Sequence, residues 1–529
     1  MSKVVILAIN AKYVHSSLAV WVLASGVSMY SRFSHDVKII EATIHQAIDD
    51  IARRAASFEP DVVGVSAYIW NAGMLPDLLK LLRNKLANAS FVLGGPEASH
   101  NAAYWLEHGA DHVLHGEGEY SFPPLLDALA KGNPAPTELT DPGEPIDPYN
   151  EAYFDALGGR IAYLETSRGC PFSCSFCLSA RKIVTFFPLE TVIEQIYKLS
   201  RSGTQTIKLV DRTFNCDVDR AYELLEHIIR LDVGCCFHFE VAADLFDDRT
   251  LTLLRQAPPG RIQLEAGIQS FFEPAINATS RQTDIKRAEG NIRALLQAQN
   301  IHIHVDLIAG LPYETLANFQ DSFNRAYALG AHTLQLGFLK LLHGSVLRDQ
   351  AEDLSIQYSS KPPYEITSSP WISADDLRIL RRAENALRHT HNKGRFLSVL
   401  EYALSVSGMD PFSLFRTIGE ASQNHGTRLE VYARQIYECC IKLPGADVGR
   451  LRDFMVCDWL AMVKGKNMPV FLKRPNRRYK QIMKIAEKQL GHGIARGEAA
   501  ILISGMGVFV DSAERDPVTG LYRLHFHSF

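Results

Sequence analysis

The sequence predicts an α/β protein built from two successive parallel sheets and a mainly helical C-terminal region. Three observations support this class. Short apolar runs alternate with helical patterns from residue 1 to 132, a second such series begins at residue 160, and helical patterns dominate beyond residue 345. Continuous apolar runs are typical of parallel strands that are buried on both faces. We predict a doubly wound Rossmann-like domain at 1–132, a linker at 133–159, a partial βα barrel (TIM-like) at 160–345 and a mainly helical domain at 346–529.

The first region contains five strand patterns, each followed by a helical pattern. Its opening run, Val4–Ile9, is apolar throughout, and helical spacing follows at Leu18–Met29. The later strands are predicted at Val37–Ile40, Asp61–Ser66, Phe91–Leu93 and Val113–Leu114, and the later helices at Ala47–Ala56, Leu75–Leu86, Ala102–His108 and Tyr120–Ala130. Such a sheet binds its ligand at the carboxyl ends of the strands. The loops expected there are Asn10–Ser17, Ser66–Asn71, Gly94–Ser99 and Gly116–Glu119.

A break with five prolines between Gly132 and Gly159 precedes the second region. Six strand patterns follow, at Ile161–Thr166, Thr206–Val210, Phe237–Val241, Ile262–Ile268, Ile303–Ile308 and Thr333–Leu339. The helical patterns between them include Leu189–Leu199, Val218–Leu231 and Ile285–Gln299. Repeated βα units predict a parallel barrel, partial or complete, that binds its ligands at the C-terminal ends of the strands.

The last region is predicted to be mainly helical, with two strands in the tail. The helices are expected at Ala374–His391, Phe396–Ser407, Leu429–Ile441, Gly449–Val463 and Tyr479–Leu490, and the strands at Ala500–Val510 and Tyr522–Phe529. The segment Lys464–Lys480 is basic, with interleaved aromatic residues. That pattern suits RNA or phosphate, but it is more typical of a solvated helix start, so nucleic acid is not an expected partner.

Composition and charge exclude several classes of protein. The 529 residues are 47% hydrophobic and 22% charged, with a formal net charge of −4, so no global field indicates nucleic acid or membrane. No apolar run approaches the roughly 20 residues that span a bilayer, and the first run does not fit a signal peptide. The nine cysteines are odd in number and unevenly spaced, which does not suggest a disulfide framework. We expect a cytoplasmic protein with reduced thiols.

Three cysteines form a tight cluster directly after a predicted strand. Cys170, Cys174 and Cys177 have the spacing C-x3-C-x2-C, and no cysteine precedes them. Thiolates are preferred ligands of iron–sulfur clusters, and three of them would leave the fourth iron of a 4Fe–4S cluster open. Zinc is the alternative, but it normally takes four protein ligands at other spacings, and His238 would be a distant fourth ligand. Ligand chemistry favours the cluster.

This segment resembles the signature of the radical AdoMet superfamily, whose members combine a 4Fe–4S cluster with S-adenosylmethionine (AdoMet). The signature is CxxxCxΦC, in which Φ is aromatic and is here Phe176. Further motifs follow in the family's order, at Lys208–Asn215, Glu240, Gly267–Ser270 and Gly310–Thr315. The resemblance implies that AdoMet contacts Phe176, Asp211, Glu240, Gln269, Ser270, Arg281, Gly310 and Pro312. Asp211 and Arg281 also have ordinary interpretations, as a helix cap and a surface charge.

The same resemblance implies a chemistry and a partner. Reductive cleavage of AdoMet would give a 5′-deoxyadenosyl radical, which abstracts a hydrogen atom from the substrate. The implied partner is an electron donor of the flavodoxin or ferredoxin type. The substrate, a small molecule or a macromolecule, is not predicted, and neither is any general acid or base.

The first region is similar to the cobalamin-binding domain of the cobalamin-dependent radical AdoMet enzymes. Ser66 matches the serine of that domain's S-x-L motif, although Tyr68 replaces leucine, and Gly94-Gly95 matches its glycine pair. The D-x-H-x-x-G motif is altered. His15 stands where a lower cobalt ligand is expected, but the aspartate and glycine are missing. The resemblance implies cobalamin as a third cofactor, bound by His15, Ser66, Gly94, Gly95 and Glu117, with or without cobalt ligation by His15.

The whole chain resembles a bacterial subgroup of these enzymes whose C-terminal region has no assigned function. The resemblance implies methyl transfer to an unactivated carbon. A radical rearrangement or cyclisation without methyl transfer is the enzymatic alternative, and a cobalamin- or redox-responsive regulator is the non-enzymatic one. Methylthiotransferases share the domain order but carry a second cluster on three cysteines of the first domain. Residues 1–169 contain no cysteine, which excludes that class.

Overall fold

The computed structural model describes residues 2–133, 146–422, 428–464, 467–495 and 497–529. The chain folds into two compact units. Unit 1 contains Met1–Val241, Thr279–Gln282 and Leu339–Thr367, and unit 2 contains Ala242–Ala278, Thr283–Phe338 and Ser368–Phe529. Residues 134–145 of the predicted proline-rich linker lie outside the described residues, and the later part of that linker is wrong as predicted, because Glu151–Leu157 forms a helix that Asn150 caps. Within the described ranges, no helix combines the length and the apolar character that a membrane crossing needs.

Unit 1 begins with the predicted parallel sheet. Its strands are β1 (Ser2–Asn10), β2 (His35–Thr43), β3 (Val62–Ser66), β4 (Ser90–Gly94) and β5 (His112–Val113). They pair in the parallel order β2-β1-β3-β4-β5. The order reverses direction between β1 and β3, and a ligand crevice forms at the carboxyl ends of such strands. All of β3 and most of β1 are buried, as expected for strands that are covered on both faces.

Six helices cover this sheet: α1 (Leu18–Tyr30), α2 (Ile48–Ala56), α3 (Leu75–Lys85), α4 (Pro96–Ser99), α5 (Ala102–Glu107) and α6 (Gly118–Lys131). Helix α1 packs against α6, and α2 packs against α3. The core between the sheet and its helices contains large apolar side chains such as Leu79, Phe91 and Trp105, each at most 1% exposed. The sequence therefore predicted this domain correctly in type and element order.

The second part of unit 1 contains three parallel strands of the predicted barrel. They are β6 (Ala162–Leu164), β9 (Thr206–Leu209) and β10 (Cys236–Val241), paired in the order β6-β9-β10. The predicted strand Ile161–Thr166 is shorter than expected because the chain turns into an antiparallel hairpin, β7 (Ser167–Cys170) with β8 (Lys182–Phe186). The helices are α7 (Glu151–Leu157), α8 (Leu189–Ser200) and α9 (Val218–Arg230).

Unit 2 begins with three more parallel strands. They are β11 (Ile262–Gln269), β12 (His302–Ala309) and β13 (Thr333–Phe338), paired in the order β11-β12-β13. Buried and half-buried residues alternate along β11 and β12, so one face of these strands is fully covered and the other is polar and partly open. The accompanying helices are α10 (Asp248–Leu254), α11 (Glu273–Ala278), α12 (Ile285–Gln297) and α13 (Leu316–Tyr327).

The segment Leu339–Thr367 returns to unit 1 and contains α14 (Val346–Asp349) and β14 (Gln357–Tyr358), which pairs with β15 (Ile366–Ser368). The C-terminal part of unit 2 is mainly helical, as predicted. Its helices are α15 (Ala374–His389), α16 (Leu397–Ser407), α17 (Pro411–Ala421), α18 (Leu429–Cys440), α19 (Val448–Met462) and α20 (Tyr479–Leu490).

Two sequence predictions in this region were incomplete. Helix α17 was not predicted, although Asp410 caps it and Pro411 occupies its first position, a typical helix start. The single strand predicted at Ala500–Val510 is two strands, β16 (Ala499–Ile501) and β17 (Gly507–Arg515), which form an antiparallel sheet with β18 (Tyr522–His527). The turn between β16 and β17 includes Gly505, whose φ of +88° favours glycine.

Candidate cluster and cofactor sites

The three clustered cysteines lie at the end of β7 and in the loop that leads to β8. Two backbone hydrogen bonds fix the centre of this loop. Ser175 N donates to Thr279 O at 2.9 Å, and Leu347 N donates to Ser175 O at 2.8 Å. Both partners belong to the short later segments of unit 1, so distant parts of the chain hold the cysteine loop. Two of the cysteines are buried, and Cys177 is partly exposed, as is the neighbouring Phe176.

The three cysteines do not form a group of ligand atoms that all lie within 4.8 Å of one another; among the described residues, Glu265, His304 and Asp306 form such a group. One zinc ion takes its thiolates at about 2.3 Å each, whereas a 4Fe–4S cluster takes each thiolate on a separate iron. The arrangement of the loop agrees with the cluster that the cysteine spacing predicts.

Polar side chains lie beside two of the sulfur atoms. Arg281 donates from Nη1 to Cys174 Sγ over 3.6 Å, and Thr213 Oγ1 lies 3.6 Å from Cys170 Sγ. Burial raises the pKa of the Cys174 thiol, and the Arg281 guanidinium acts against that rise. Because metal binding requires a thiolate, Arg281 favours the ligating form of Cys174. Arg281 thus contacts the cysteine loop, and its role toward AdoMet stays a prediction.

Asp211 is almost completely buried, at 1% exposure, and it forms hydrogen bonds at the start of β7, the strand that leads to the cysteines. Its carboxylate accepts hydrogen bonds from Thr166 N at 3.0 Å, Thr166 Oγ1 at 2.6 Å and Ser167 Oγ at 2.6 Å. Burial raises the pKa of this carboxyl, and those hydrogen bonds oppose the rise. The cap of helix α9 is Asp217, so Asp211 does not have the capping role considered from the sequence.

Glu240 lies on β10 opposite Lys208 of β9, with Glu240 Oε1 3.4 Å from Lys208 Nζ. Both side chains are about one third exposed or less, at 33% and 28%. This places an ion pair near the carboxyl ends of two parallel strands, where a barrel binds its ligands. The position agrees with a ligand-binding role for Glu240, which stays a prediction.

The predicted AdoMet residues of unit 2 follow β11 and β12. Gln269 ends β11 at a bulge, with a φ of +72°, and its Oε1 is buried without a hydrogen-bond partner. Ser270 is fully buried and donates to Glu314 Oε1 at 2.5 Å. Gly310 follows β12 with a φ of +91°, and Pro312 lies in the turn after it. A buried amide oxygen without a partner is uncommon in folded proteins, so Gln269 marks a place where a ligand donor would fit.

His15 lies in the loop after β1, and its ring is held by a residue that the sequence did not reveal. Its Nδ1 lies 2.7 Å from the hydroxyl of Tyr163 on β6. Burial lowers the pKa of His15, and Lys12 and Lys208 lower it further. A neutral imidazole is the form that ligates metals, and a partner on one ring nitrogen fixes the orientation of the other. Tyr163 therefore orients the imidazole, and ligation of cobalt by His15 stays a prediction.

The other predicted cobalamin residues line the carboxyl ends of β3 and β4. Ser66 is buried, and its hydroxyl lies 3.5 Å from Leu7 O. Gly95 has a φ of +99°, and a Cβ there would lie 2.7 Å from Ala67 O, so no other residue fits without a backbone shift. Gly94 ends β4 beside it.

Two side chains at the same edge of the sheet were not singled out from the sequence. Trp70 stacks on Tyr68, with ring centroids 4.3 Å apart, and remains 44% exposed. Glu97 is buried, accepts a hydrogen bond from the hydroxyl of Tyr364, and has its pKa raised by burial. Glu97 is two residues beyond the glycine pair, so its position in a predicted ligand loop was the signal in the sequence that could have identified it.

Glu117 pairs with an arginine close to the cysteine loop. Arg168 Nη1 lies 3.1 Å from Glu117 Oε2 and 2.5 Å from Glu119 Oε1, and its Nη2 lies 2.8 Å from Glu165 Oε2. Arg168 is two residues before Cys170. This cluster of charges links the loop after β5 to the hairpin that carries the cysteines, and a direct role for Glu117 toward cobalamin stays a prediction.

Three family models match successive parts of the chain. The B12 binding domain matches residues 4–126, and the Radical SAM superfamily matches residues 164–326. A protein family of unknown function, DUF4080, matches residues 352–492. The first match covers the five-stranded sheet with its helices, and the second covers the cysteine loop and most of the following βα series.

Three curated relatives are methyltransferases by name. The chain is 30% identical over 316 residues to the uncharacterized methyltransferase PH0819 of Pyrococcus horikoshii, covering 54% of this chain and 68% of that protein. It is 28% identical to the hopanoid C-3 methylase of Methylococcus capsulatus, covering 52% and 57%. It is 26% identical to the cobalamin-dependent radical SAM methyltransferase TokK of Streptomyces tokunonensis, covering 52% and 46%. The chain spans about half the length of the last two.

Two solved structures share the fold. TsrM of Kitasatospora setae, with cobalamin and a [4Fe-4S] cluster bound, has a TM-score of 0.56 at 18% identity, covering 69% of this chain and 79% of that chain. OxsB, with aqua-cobalamin and AdoMet bound, has a TM-score of 0.58 at 13% identity, covering 86% and 78%. At such identities the likeness concerns the fold.

The fold and the cysteine loop define a radical AdoMet protein. More specifically, the chain belongs to the family of cobalamin-binding radical AdoMet enzymes and carries a C-terminal DUF4080 region of unknown function. The fold class and the family that the sequence indicated are confirmed. The three predicted cofactors occur in these two structures: TsrM contains cobalamin and a [4Fe-4S] cluster, and OxsB contains cobalamin and AdoMet. The B12 binding domain and the radical AdoMet domain are both present in this chain.

Proposed function

We propose that this protein is a cobalamin-dependent radical AdoMet enzyme that transfers a methyl group to an unactivated carbon of its substrate. The observation that carries the proposal is the cysteine loop between β7 and β8, with its signature spacing C-x3-C-x2-C. The names of the curated relatives favour methyl transfer over rearrangement or cyclisation. When bound, the cluster and AdoMet would supply a 5′-deoxyadenosyl radical, and cobalamin would supply the methyl group.

On the cluster side, the proposed ligands are Cys170, Cys174 and Cys177. Arg281 favours the thiolate form of Cys174 against the effect of burial, because its guanidinium lies against that sulfur. Asp211 aligns the start of β7 through Thr166 and Ser167, so that Cys170 is presented at the end of the strand. Burial of two of the three sulfurs limits the access of water to the cluster.

Toward AdoMet, we propose contacts from Phe176, Asp211, Glu240, Gln269, Ser270, Arg281, Gly310 and Pro312. The structure supports Gln269 most directly, since its buried Oε1 would accept a hydrogen bond from a ligand hydroxyl. Ser270, the residue after Gln269, is held in place by the hydrogen bond that it donates to Glu314. For Asp211, the observed contacts favour a positioning role rather than direct contact.

Toward cobalamin, we propose contacts from His15, Ser66, Gly94, Gly95 and Glu117. His15 is neutral at pH 7 because its pKa is lowered, and Tyr163 fixes its Nδ1, which leaves Nε2 as the ligating nitrogen. Gly95 lets the backbone after β4 pack closely against Ala67, which shapes the proposed cobalamin loop. Glu117 acts through Arg168 on the neighbouring hairpin.

The cellular setting is also a proposal. None of the nine cysteines, all within the described residues, forms a disulfide, which agrees with a reducing compartment, and we place the enzyme in the cytoplasm. Cleavage of AdoMet needs an electron, so a flavodoxin or ferredoxin is the proposed donor. The division at residues 132, 159 and 345 into cobalamin domain, linker, barrel and C-terminal domain is proposed in the same way.

The proposal is tested by anaerobic reconstitution of the full chain with iron, sulfide and cobalamin, followed by metal analysis. We expect about four irons per chain, because three thiolates hold one 4Fe–4S cluster. Cys177→Ala should lose most of the iron and all reductive cleavage of AdoMet. Cys236→Ala is the matched control, since Cys236 is equally a partly exposed cysteine without a disulfide and lies outside the loop. Zinc in place of iron in the wild type would overturn the radical mechanism.

Methyl transfer is tested by the products of AdoMet. Under reduction, a methyltransferase of this kind should form both 5′-deoxyadenosine and S-adenosylhomocysteine, since one AdoMet supplies the radical and another the methyl group. Formation of 5′-deoxyadenosine alone, in the presence of bound cobalamin, would favour a rearrangement or cyclisation instead. Once a substrate is found, the mass of the product should increase by one CH₂ unit.

A further inference from the structure

We propose that the polar face of β11 and β12 carries a second metal site, for a divalent cation, formed by Glu265, His304 and Asp306. One ligand atom from each of these side chains lies within 4.8 Å of the others. His304 Nε2 and Asp306 Oδ1 are 3.1 Å apart. None of these three residues is a cluster ligand or a cofactor contact in the proposed function, so the site goes beyond it.

The strand register explains why these three side chains converge. Glu265 and His304 are directly paired across the parallel strands β11 and β12. Asp306 is two residues beyond His304, so both point to the same face of β12. All three positions are on rigid strands rather than loops, and they belong to the half-buried series on each strand. A site on strands holds its geometry better than a site on a loop.

The ligand groups at this place are largely shielded from water. Two carboxylates share a partly buried space, in which the side chain of Asp306 is only 17% exposed and that of His304 only 13%. Like charges so close repel one another, and a cation between them reduces that repulsion. A divalent cation would neutralise both carboxylates and take the imidazole as its third ligand.

The donor set indicates the class of ion. Two carboxylates and one imidazole suit borderline to hard divalent cations such as Mn²⁺, and thiolates bind Mn²⁺ weakly. Three protein ligands leave further positions open, so the ion would also be able to bind a polar group of a substrate. The competing explanation is a proton shared among the three side chains, and it requires no ion.

Mn²⁺ binding to the holoenzyme distinguishes these explanations. In protein with its cluster and cobalamin loaded, free Mn²⁺ is followed by its EPR signal during an anaerobic titration. We expect one Mn²⁺ per chain in the wild type, and at least about tenfold weaker binding in Glu265→Gln, since even loss of an outer partner of a metal ligand costs that much. Glu273→Gln is the matched control, because Glu273 is an exposed carboxylate of the same unit.

A second measurement guards against misfolding of the variant. Mn²⁺ should raise the thermal midpoint of the wild type and of Glu273→Gln, because a ligand that binds only the folded state stabilises it. The midpoint of Asp306→Asn should not respond. The shared-proton explanation would be preferred, and the metal site rejected, if the wild type bound no Mn²⁺ or if Glu265→Gln bound it as tightly.

Discussion

Gly169, the residue before the first clustered cysteine, has a φ of +94°, and a Cβ there would lie 2.2 Å from Ile183 O. Both the dihedral and the contact exclude a side chain. Because Ile183 lies on β8, the glycine lets the two strands of the hairpin approach closely enough to present Cys170. The need for glycine at this point arises from pairing between segments that are 14 residues apart.

Gly169→Ala should therefore destabilise the hairpin by about 1–3 kcal/mol, the usual cost of a strained backbone position. It should also lower the iron content after reconstitution. The control is Gly203→Ala, where φ is +80° but nothing lies within 4 Å of the added Cβ. Denaturation midpoints and iron analysis measure both effects. Equal losses in the two variants would show that the contact with Ile183 is unimportant.

Glu314 is fully buried, and burial raises its pKa from 4.5 to about 7, against the hydrogen bonds from Ser270 and Ser322. Between these two pH values the folded state holds a proton that the unfolded state has lost. The contribution of Glu314 to the free energy of unfolding is therefore fully present below pH 4.5 and is lost as the pH rises through 7.

Glu314→Gln should remove this dependence, because glutamine resembles the neutral acid at every pH. Relative to wild type, the variant should gain about 2 kcal/mol between pH 5.5 and pH 8, at about 1.4 kcal/mol per pKa unit. Thermal midpoints at the two pH values give the difference. Glu273→Gln should show no such gain. If the difference in stability between Glu314→Gln and wild type were the same at both pH values, Glu314 would be ionised in the folded state at the lower pH.

Among the elements, β2 connects the first loop of the cobalamin domain to the start of the barrel series. Glu41 on β2 accepts from Arg160 at 2.9 and 3.1 Å, and it also accepts from Asn10 Nδ2 at 2.8 Å and from Ser17 N at 3.1 Å. The side chains of Glu41 and Arg160 are only 11% and 10% exposed. One buried carboxylate thus fixes both ends of the loop that contains His15.

Glu41→Gln should destabilise unit 1 by about 3–5 kcal/mol, the usual cost of leaving one member of a buried ion pair without its partner. The control is Asp50→Asn, which breaks an ion pair with Arg53 whose side chains are 60% and 70% exposed and should cost less than about 1 kcal/mol. Chemical denaturation measures both variants. A small effect at Glu41 would show that water readily replaces the pair.

The elements that the sequence predicted well are those with their own periodic pattern. The strands of the first sheet and helices such as α9 and α20 match their predicted ranges to within a few residues. The hairpin β7–β8 was missed because its strands are short and mostly half-buried or exposed, so no apolar alternation marks them. Strands without a pattern of burial form because they pair with another strand, and the local sequence does not indicate which strand that is.

For the whole molecule, the positions of the predicted sites imply that two cofactors load separately. The sheet β1–β5 and its helices have a core of their own that contains no cysteine. The cysteine loop lies in another part of unit 1. Loss of the cluster should therefore leave the cobalamin domain folded.

The Cys170→Ala, Cys174→Ala, Cys177→Ala triple variant should accordingly contain less than about one tenth of the wild-type iron and retain about one cobalt per chain after reconstitution with cobalamin. The optical spectrum of bound cobalamin should persist. Metal analysis of gel-filtered protein gives both numbers. Simultaneous loss of iron and cobalt, in a variant that remains folded by circular dichroism, would show that cobalamin binding depends on the cluster.

By itself, the sequence determined the family and the fold class, and it predicted the three cysteine ligands, because these depend on residue type and spacing along the chain. Only the tertiary structure decided what surrounds them. Asp211 supports β7, Tyr163 holds His15, and Glu265 meets His304 and Asp306 across two strands. Each of these contacts joins residues that are tens to more than a hundred positions apart. Their partners follow from strand order and register, which local patterns do not contain.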